Sequence, residues 1–174
     1  MAQHTHQIFF AHGKSGTPWG SKIQRLADLA KERGFEVESL DYQGITSPDD
    51  RVQKLLDRAP APSGQLLLVG SSMGAYLSIV ASEKLRPDGL FLLAPAIYKR
   101  GYAIQDPVPH SPLTVAVHGY GDEVIPVADA IRFAQKHKIR LHLVDSGHRL
   151  LDAMPFIEKA FGWFLDEAMK RGED

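Results

Sequence analysis

The chain contains no cysteine among its 174 residues. Disulfides, thiol nucleophiles and cysteine-based metal sites are thereby excluded, and a reducing, cytoplasmic setting is the simplest expectation. No one sign of charge dominates either: 20 Lys and Arg face 21 Asp and Glu, for a formal net charge of −1. The chain therefore has no basic field with which to recruit nucleic acid or an anionic membrane. Long hydrophobic runs are missing as well. The apolar stretches reach strand length, well short of the ~20 residues of a membrane-spanning helix. The opening segment Met1-Ala2-Gln3-His4-Thr5-His6 has no apolar core of an export signal. With no internal repeat, charge block or low-complexity linker, residues 1–174 are expected to form one domain.

What the sequence does contain is alternation. Six apolar runs read as strands: Gln7–Ala11, Glu36–Leu40, Gln65–Val69, Gly89–Leu93, Thr114–His118 and Arg140–Val144. Several are nearly unbroken, as in parallel strands covered on both faces. Helical stripes separate them. Trp19, Ile23, Leu26 and Ala30 form the first, closed by Gly34, and Val52, Leu55, Leu56 and Ala59 the second, capped by Ser47-Pro48-Asp49. Met73–Arg86 is a third, stopping at Pro87. Pro126 opens a helix carrying Val127, Ala130, Ile131 and Ala134, and Pro155 opens the last, with Phe156, Ile157, Phe161, Phe164 and Leu165 inward. This alternation predicts an α/β fold, a doubly wound, mostly parallel six-stranded sheet flanked by helices. Ala94–Pro112, with four prolines, is too proline-rich for a helix and reads as a loop over the strand ends.

Chemistry concentrates at strand ends. Gly70-Ser71-Ser72-Met73-Gly74 follows a buried strand and opens a small-residue helix, the arrangement of a nucleophile elbow that exposes the Ser72 hydroxyl on a tight turn. A serine hydroxyl is a poor nucleophile unless a base takes its proton. His148 lies just after the last strand, in Asp145-Ser146-Gly147-His148, and its neutral imidazole can take that proton and return it to a leaving group. Asp122, after Gly119-Tyr120-Gly121, can fix the imidazole tautomer; Asp145 is the alternative acid. Activity is then expected to rise with pH as His148 loses its proton.

Ser72, Asp122 and His148 follow one another in the order of one fold family. On His12-Gly13, Gly70–Gly74, His118–Pro126 and Ser146-Gly147-His148, which together span nearly the whole chain, the sequence resembles the α/β-hydrolase superfamily, and within it the small, lidless, esterase-like members. The resemblance implies an oxyanion hole built from the backbone N–H groups of Met73 and Lys14. It also implies a serine hydrolase acting on a small-molecule ester or thioester, with no metal or organic cofactor. Compared with the superfamily's usual eight strands, the N-terminal hairpin and the inserted helical lid are missing. Ala94–Pro112 takes the lid's place, with Tyr98 and Tyr102 as substrate-wall residues. Acyl transfer or carbon–carbon bond cleavage on the same triad, or a non-catalytic scaffold of the same fold, are the alternatives.

Other residues read as structural. Ser71 belongs to the elbow, and His12 and His118, each ending a strand before glycine, read as satisfying backbone groups. Asp106 and Asp152 are a loop charge and a helix-start charge. Asp41-Tyr42-Gln43-Gly44 is a turn, and the Lys14 side chain is solvated. Gly13-Lys14-Ser15-Gly16 is no phosphate loop, because the first glycine of that motif falls at Ile8. No histidine pair has metal-site spacing on a helix.

Overall fold

Every apolar run is a strand, and the residue parity along each run sorts its side chains between two separate cores. The structure, a computed structural model, describes residues 4–172, so Met1–Gln3 of the N-terminal reading lie outside it. The elements run β1 (His6–Ala11), α1 (Ser21–Glu32), β2 (Phe35–Ser39), α2 (Pro48–Arg58), β3 (Leu66–Ser71), α3 (Met73–Leu85), β4 (Gly89–Leu93), β5 (Thr114–Gly119), α4 (Val127–His137), β6 (Arg140–Val144) and α5 (Met154–Arg171). They build one parallel sheet in the order β2-β1-β3-β4-β5-β6.

Ile8, Phe10, Leu67, Val69, Phe91, Leu93, Val115 and Val117 face α1 and α5. Their sequence neighbours Phe9, Ala11, Leu66, Leu68, Leu90, Leu92 and Ala116 face the opposite way, against Val52 and Leu55 of α2, Leu77 and Ile79 of α3, and Phe133 of α4. A strand with both faces covered shows no alternation in its sequence, which is why these runs read as unbroken. Helix α3 is buried on nearly all sides, because α2 and the proline-rich segment cover what the sheet does not.

The helix stripes hold with local corrections. Trp19 does not join the first stripe: α1 begins at Ser21, after Pro18 and Gly20, and Trp19 is 45% exposed with the Lys31 ammonium 5.8 Å from its ring. Ala59 is the left-handed cap of α2 and exposed, while Ser47 accepts a hydrogen bond from the Asp50 N–H as expected of an N-cap. On α4, Phe133 rather than Ile131 fills the core beside Ala130 and Ala134. Phe161 and Phe164 stack in the core, facing inward as the sequence suggests, and Trp163 between them in sequence is exposed. No helix among the described residues is long and apolar enough to cross a membrane.

Burial disfavours the charged form of three histidines. Desolvation pushes His12, His137 and His142 below their ordinary value of 6.5. The unfolded chain takes up these protons below about 6.5, whereas the folded chain resists them. Folding stability should therefore be full above about pH 6.5 and fall as pH drops through the depressed values. The urea midpoint is expected to be lower at pH 5.5 than at pH 7.5; equal midpoints would remove this account.

Candidate active site

Ser72 sits between β3 and α3 with φ 56° and ψ −115°, a region costly for any residue but glycine. Close backbone approaches enforce the turn. A Cβ on Gly70 would lie 2.3 Å from the Gly74 carbonyl oxygen, and one on Gly74 would lie 1.9 Å from that of Ala11. The Ser72 N–H donates to Leu93 O at 2.8 Å, tying the elbow to the end of β4. The location follows from topology. β1 and β3 are neighbours, yet α1 leaves to one face of the sheet and α3 to the other, so a crevice opens between their C-terminal ends.

The loops after β5 and β6 bring the other two residues to this crevice. His148 Nε2 lies 3.0 Å from Ser72 Oγ and its Nδ1 lies 2.7 Å from Asp122 Oδ2. The carboxylate accepts the Nδ1 proton, which leaves Nε2 as the acceptor toward the serine hydroxyl. Asp122 has a fully buried side chain, and its Oδ1 accepts the Val124 and Ile125 N–H groups at 2.8 Å each. Its ionised form thus receives three donors in a desolvated place. Asp145 is exposed and makes no hydrogen bond to His148. The two loops are laced together: Tyr120 N–H donates to Val144 O, Gly121 N–H to Ser146 O, and a Cβ on Gly119 would lie 2.1 Å from Ser146 O. His118 is buried beside the acid, donating from Nε2 to Ile125 O at 3.0 Å, with the same nitrogen 3.4 Å from Asp122 Oδ2.

The loop after β1 runs alongside the elbow. A Cβ on Gly13 would lie 3.6 Å from Ser72 Cβ. Among the described residues neither the Lys14 nor the Met73 N–H donates to a protein acceptor, and Met73 is the first residue of α3, where backbone donors are free and the dipole favours negative charge. The Lys14 side chain is exposed. His12, buried, donates from Nδ1 to Gly13 O at 2.8 Å and accepts the Tyr42 N–H at Nε2, 2.9 Å away. Its backbone-satisfying role is the one expected. Asp41 closes the predicted turn by accepting the Gln43 N–H.

Tyr98 and Tyr102 lie in the irregular segment between β4 and β5, which contains no regular element. Tyr102 packs edge-on against Tyr76 of α3 with ring centroids 4.6 Å apart, and the Arg132 guanidinium of α4 lies 4.1 Å from the Tyr98 ring. Neither makes a hydrogen bond to Ser72, Asp122 or His148. The segment is fastened to α3 by the Ile104 N–H on Tyr76 Oη and the His110 N–H on Ser82 Oγ, and to α4 by the Lys136–Asp106 ion pair. A cavity of about 460 Å³ lined by Thr114, Lys138, Arg140 and Arg171 lies at the N-terminal ends of β5 and β6, and none of Ser72, Asp122 and His148 lines it.

Two cations, one half-buried and one buried, escape the sequence reading. Lys22 of α1 donates to Ser71 Oγ at 3.1 Å and to Arg149 O at 2.9 Å, and burial pushes its ammonium down to about 8. Arg51 of α2 is 1% exposed beneath the loop after β1. Its only signal in the sequence is position: it stands four residues before Leu55, on the buried stripe of α2.

No family model matches this chain, and no curated protein does. Solved structures do. A candidate hydrolase of the alpha/beta superfamily from Xanthomonas campestris pv. campestris is 31% identical, with 93% of this chain and 98% of that one covered at a TM-score of 0.84. Est1E from Butyrivibrio proteoclasticus is 15% identical, covering 95% of this chain and 89% of that one at a TM-score of 0.78. A serine hydrolase without lid, also from Xanthomonas campestris, is 20% identical, covering 95% and 83% at a TM-score of 0.69. The last two show the fold, a parallel sheet wound on both sides by helices. The first shows the family: the chain belongs to the alpha/beta hydrolase superfamily. The likeness to the first supports a hydrolase of this fold.

Proposed function

We propose that the protein is a serine hydrolase cleaving a carboxylic ester or thioester of a small molecule through an acyl-enzyme. The observation that carries this reading is the unbroken line of hydrogen bonds from Ser72 Oγ through His148 to Asp122, at 3.0 and 2.7 Å. Ser72 Oγ attacks the carbonyl carbon while its proton passes to His148 Nε2. The carbonyl oxygen, now negative, is held by the Lys14 and Met73 N–H groups. Collapse of this intermediate expels the alcohol or thiol, which takes the proton from His148. Water then attacks the acyl-serine, giving its proton to the same imidazole, and the carboxylic acid leaves as Ser72 Oγ is reprotonated. Asp122 stays ionised and stabilises the imidazolium in both halves. Tyr98 and Tyr102, standing where larger members of the fold carry a lid, are proposed to wall the substrate cleft, and every step uses this chain's own groups. The absence of cysteine supports a cytoplasmic setting.

The test is intact-protein mass after exposure to a fluorophosphonate. Wild type should gain one adduct and Ser72→Ala none. A folded wild-type protein that gains no adduct would overturn the reading.

A further inference from the structure

Arg51 is a buried cation without an anion. Its side chain lies beneath the loop after β1, and among the described residues no carboxylate comes within ion-pair distance of it. Its partners are four backbone carbonyls. Nε donates to Ile45 O at 2.8 Å; Nη1 donates to His12 O and Gly13 O, each at 3.2 Å; Nη2 donates to Lys14 O at 3.2 Å. The ring of Tyr42 lies 5.6 Å from the guanidinium carbon on another side. Burying a charge against dipoles alone is expensive, and an apolar side chain of similar volume would satisfy packing at least as well. Losing the guanidinium would also leave those carbonyls without this donor, yet a gain in fold stability alone is an incomplete explanation for its presence here.

The three consecutive carbonyls it holds suggest a better one. Within a trans peptide the C=O and the following N–H point in opposite directions. The Gly13 carbonyl and the Lys14 N–H belong to one such unit. Gly13 O accepts from Arg51 Nη1, from His12 Nδ1 at 2.8 Å and from the Gly16 N–H at 3.1 Å. The Lys14 N–H, which has no acceptor among the described residues, therefore points away from those three donors, in a loop where a Cβ on Gly13 would lie 3.6 Å from Ser72 Cβ. A flip of this unit would turn the carbonyl dipole toward any oxyanion and would break all three of these hydrogen bonds.

We propose that Arg51 is a positioning residue that locks the Gly13–Lys14 peptide in the orientation that presents the Lys14 N–H to the reacting carbonyl oxygen. The inference rests on the proposed hydrolase reading for its kinetic consequence, though not for its structural one. A guanidinium suits the task because its planar fork reaches several carbonyls at fixed angles, which a lysine ammonium does not. The loss of one oxyanion donor typically costs on the order of 100-fold or more in kcat.

The experiment compares wild type, Arg51→Met and Arg51→Lys in hydrolysis of 4-nitrophenyl acetate, with active sites counted by fluorophosphonate titration. The Lys14 amide is followed alongside by ¹H–¹⁵N spectroscopy. Arg51→Met should lose about 100-fold in kcat per titrated site while KM changes little, because the donor acts on the transition state more than on the bound ester. Arg51→Lys, which keeps the charge but not the fork, should recover only part of the loss. The Lys14 amide resonance should shift or broaden in both variants. A folded Arg51→Met enzyme with kcat within threefold of wild type would overturn the proposal, as would full recovery in Arg51→Lys. If Arg51→Met does not fold, Arg51→Lys carries the test, and wild-type kcat in it is the overturning result. If the wild-type enzyme neither titrates nor turns over, the hydrolase reading fails. The Lys14 resonance then judges the lock alone, and an unchanged resonance in a folded variant sinks it.

Discussion

Asp122→Asn is expected to lower ester turnover by roughly 10⁴-fold while leaving the protein folded. The carboxylate faces two sets of donors, His148 Nδ1 on Oδ2 and the Val124 and Ile125 N–H groups on Oδ1. An amide can serve only one set. If its oxygen stays on the two backbone N–H groups, its NH₂ meets the Nδ1 proton of His148. The imidazole then relieves the clash by moving its proton to Nε2, where it can no longer accept from Ser72. If the amide turns round, its NH₂ faces two backbone donors in a fully buried place and the loop after β5 loosens. Either way the base is lost or misplaced. Asp145→Asn serves as the control: Asp145 is exposed and unconnected to His148, so turnover should stay within about twofold, as for ordinary surface substitutions. Steady-state kinetics with thermal melting of both variants decides the matter. Unchanged turnover in folded Asp122→Asn would take the acid role from this residue.

The second large effect is on folding. Gly74→Ala should cost about 4 kcal/mol or more, a large share of the 5–15 kcal/mol that holds a typical domain together. The added methyl would lie 1.9 Å from Ala11 O, 2.5 Å from Ala11 C and 2.9 Å from His12 O, all of them backbone atoms at the end of β1. No rotamer change can open that space; α3 would have to move away from β1, taking the elbow with it. Gly13→Ala is the contrasting case, since its methyl meets only Ser71 O at 3.5 Å and Ser72 Cβ at 3.6 Å, ordinary contact distances. Urea denaturation should show Gly74→Ala unfolded or barely folded and Gly13→Ala close to wild type. A Gly74→Ala midpoint near wild type would mean that the elbow does not depend on this approach.

Much of this was readable residue by residue. The six strands stand where the apolar runs placed them, with no end shifted by more than two positions, because a short apolar run bounded by polar, Gly or Pro residues has few other uses in a chain of this size. Helix ends with a strong local signal, such as Ser47 before Pro48, were equally legible. Trp19 shows where periodicity misleads: its spacing to Ile23 fits a helix, but Pro18 and Gly20 hold it in the preceding loop. Phe133 and Ile131 are both apolar on α4, and only the docking angle of that helix selects one for the core.

Local pattern and spacing settled the elements and the parallel sense of the sheet, and they put Ser72 and His148 just after strands. They left open whether Asp122 or Asp145 stands behind His148. The strand and Gly119-Tyr120-Gly121 turn before Asp122 favour it, but both aspartates lie near His148 in sequence terms, and only the register of β5 against β6 places one carboxylate under the imidazole and the other in solvent. The tertiary structure also decided which helices share a face, because the strand order reverses direction between β2 and β3 and sends α1 and α3 to opposite sides. It alone buried Arg51. An arginine in the first turn of a helix after two aspartates reads as a solvated charge, and only the passage of the loop after β1 over α2 turns it into a cation held by four carbonyls.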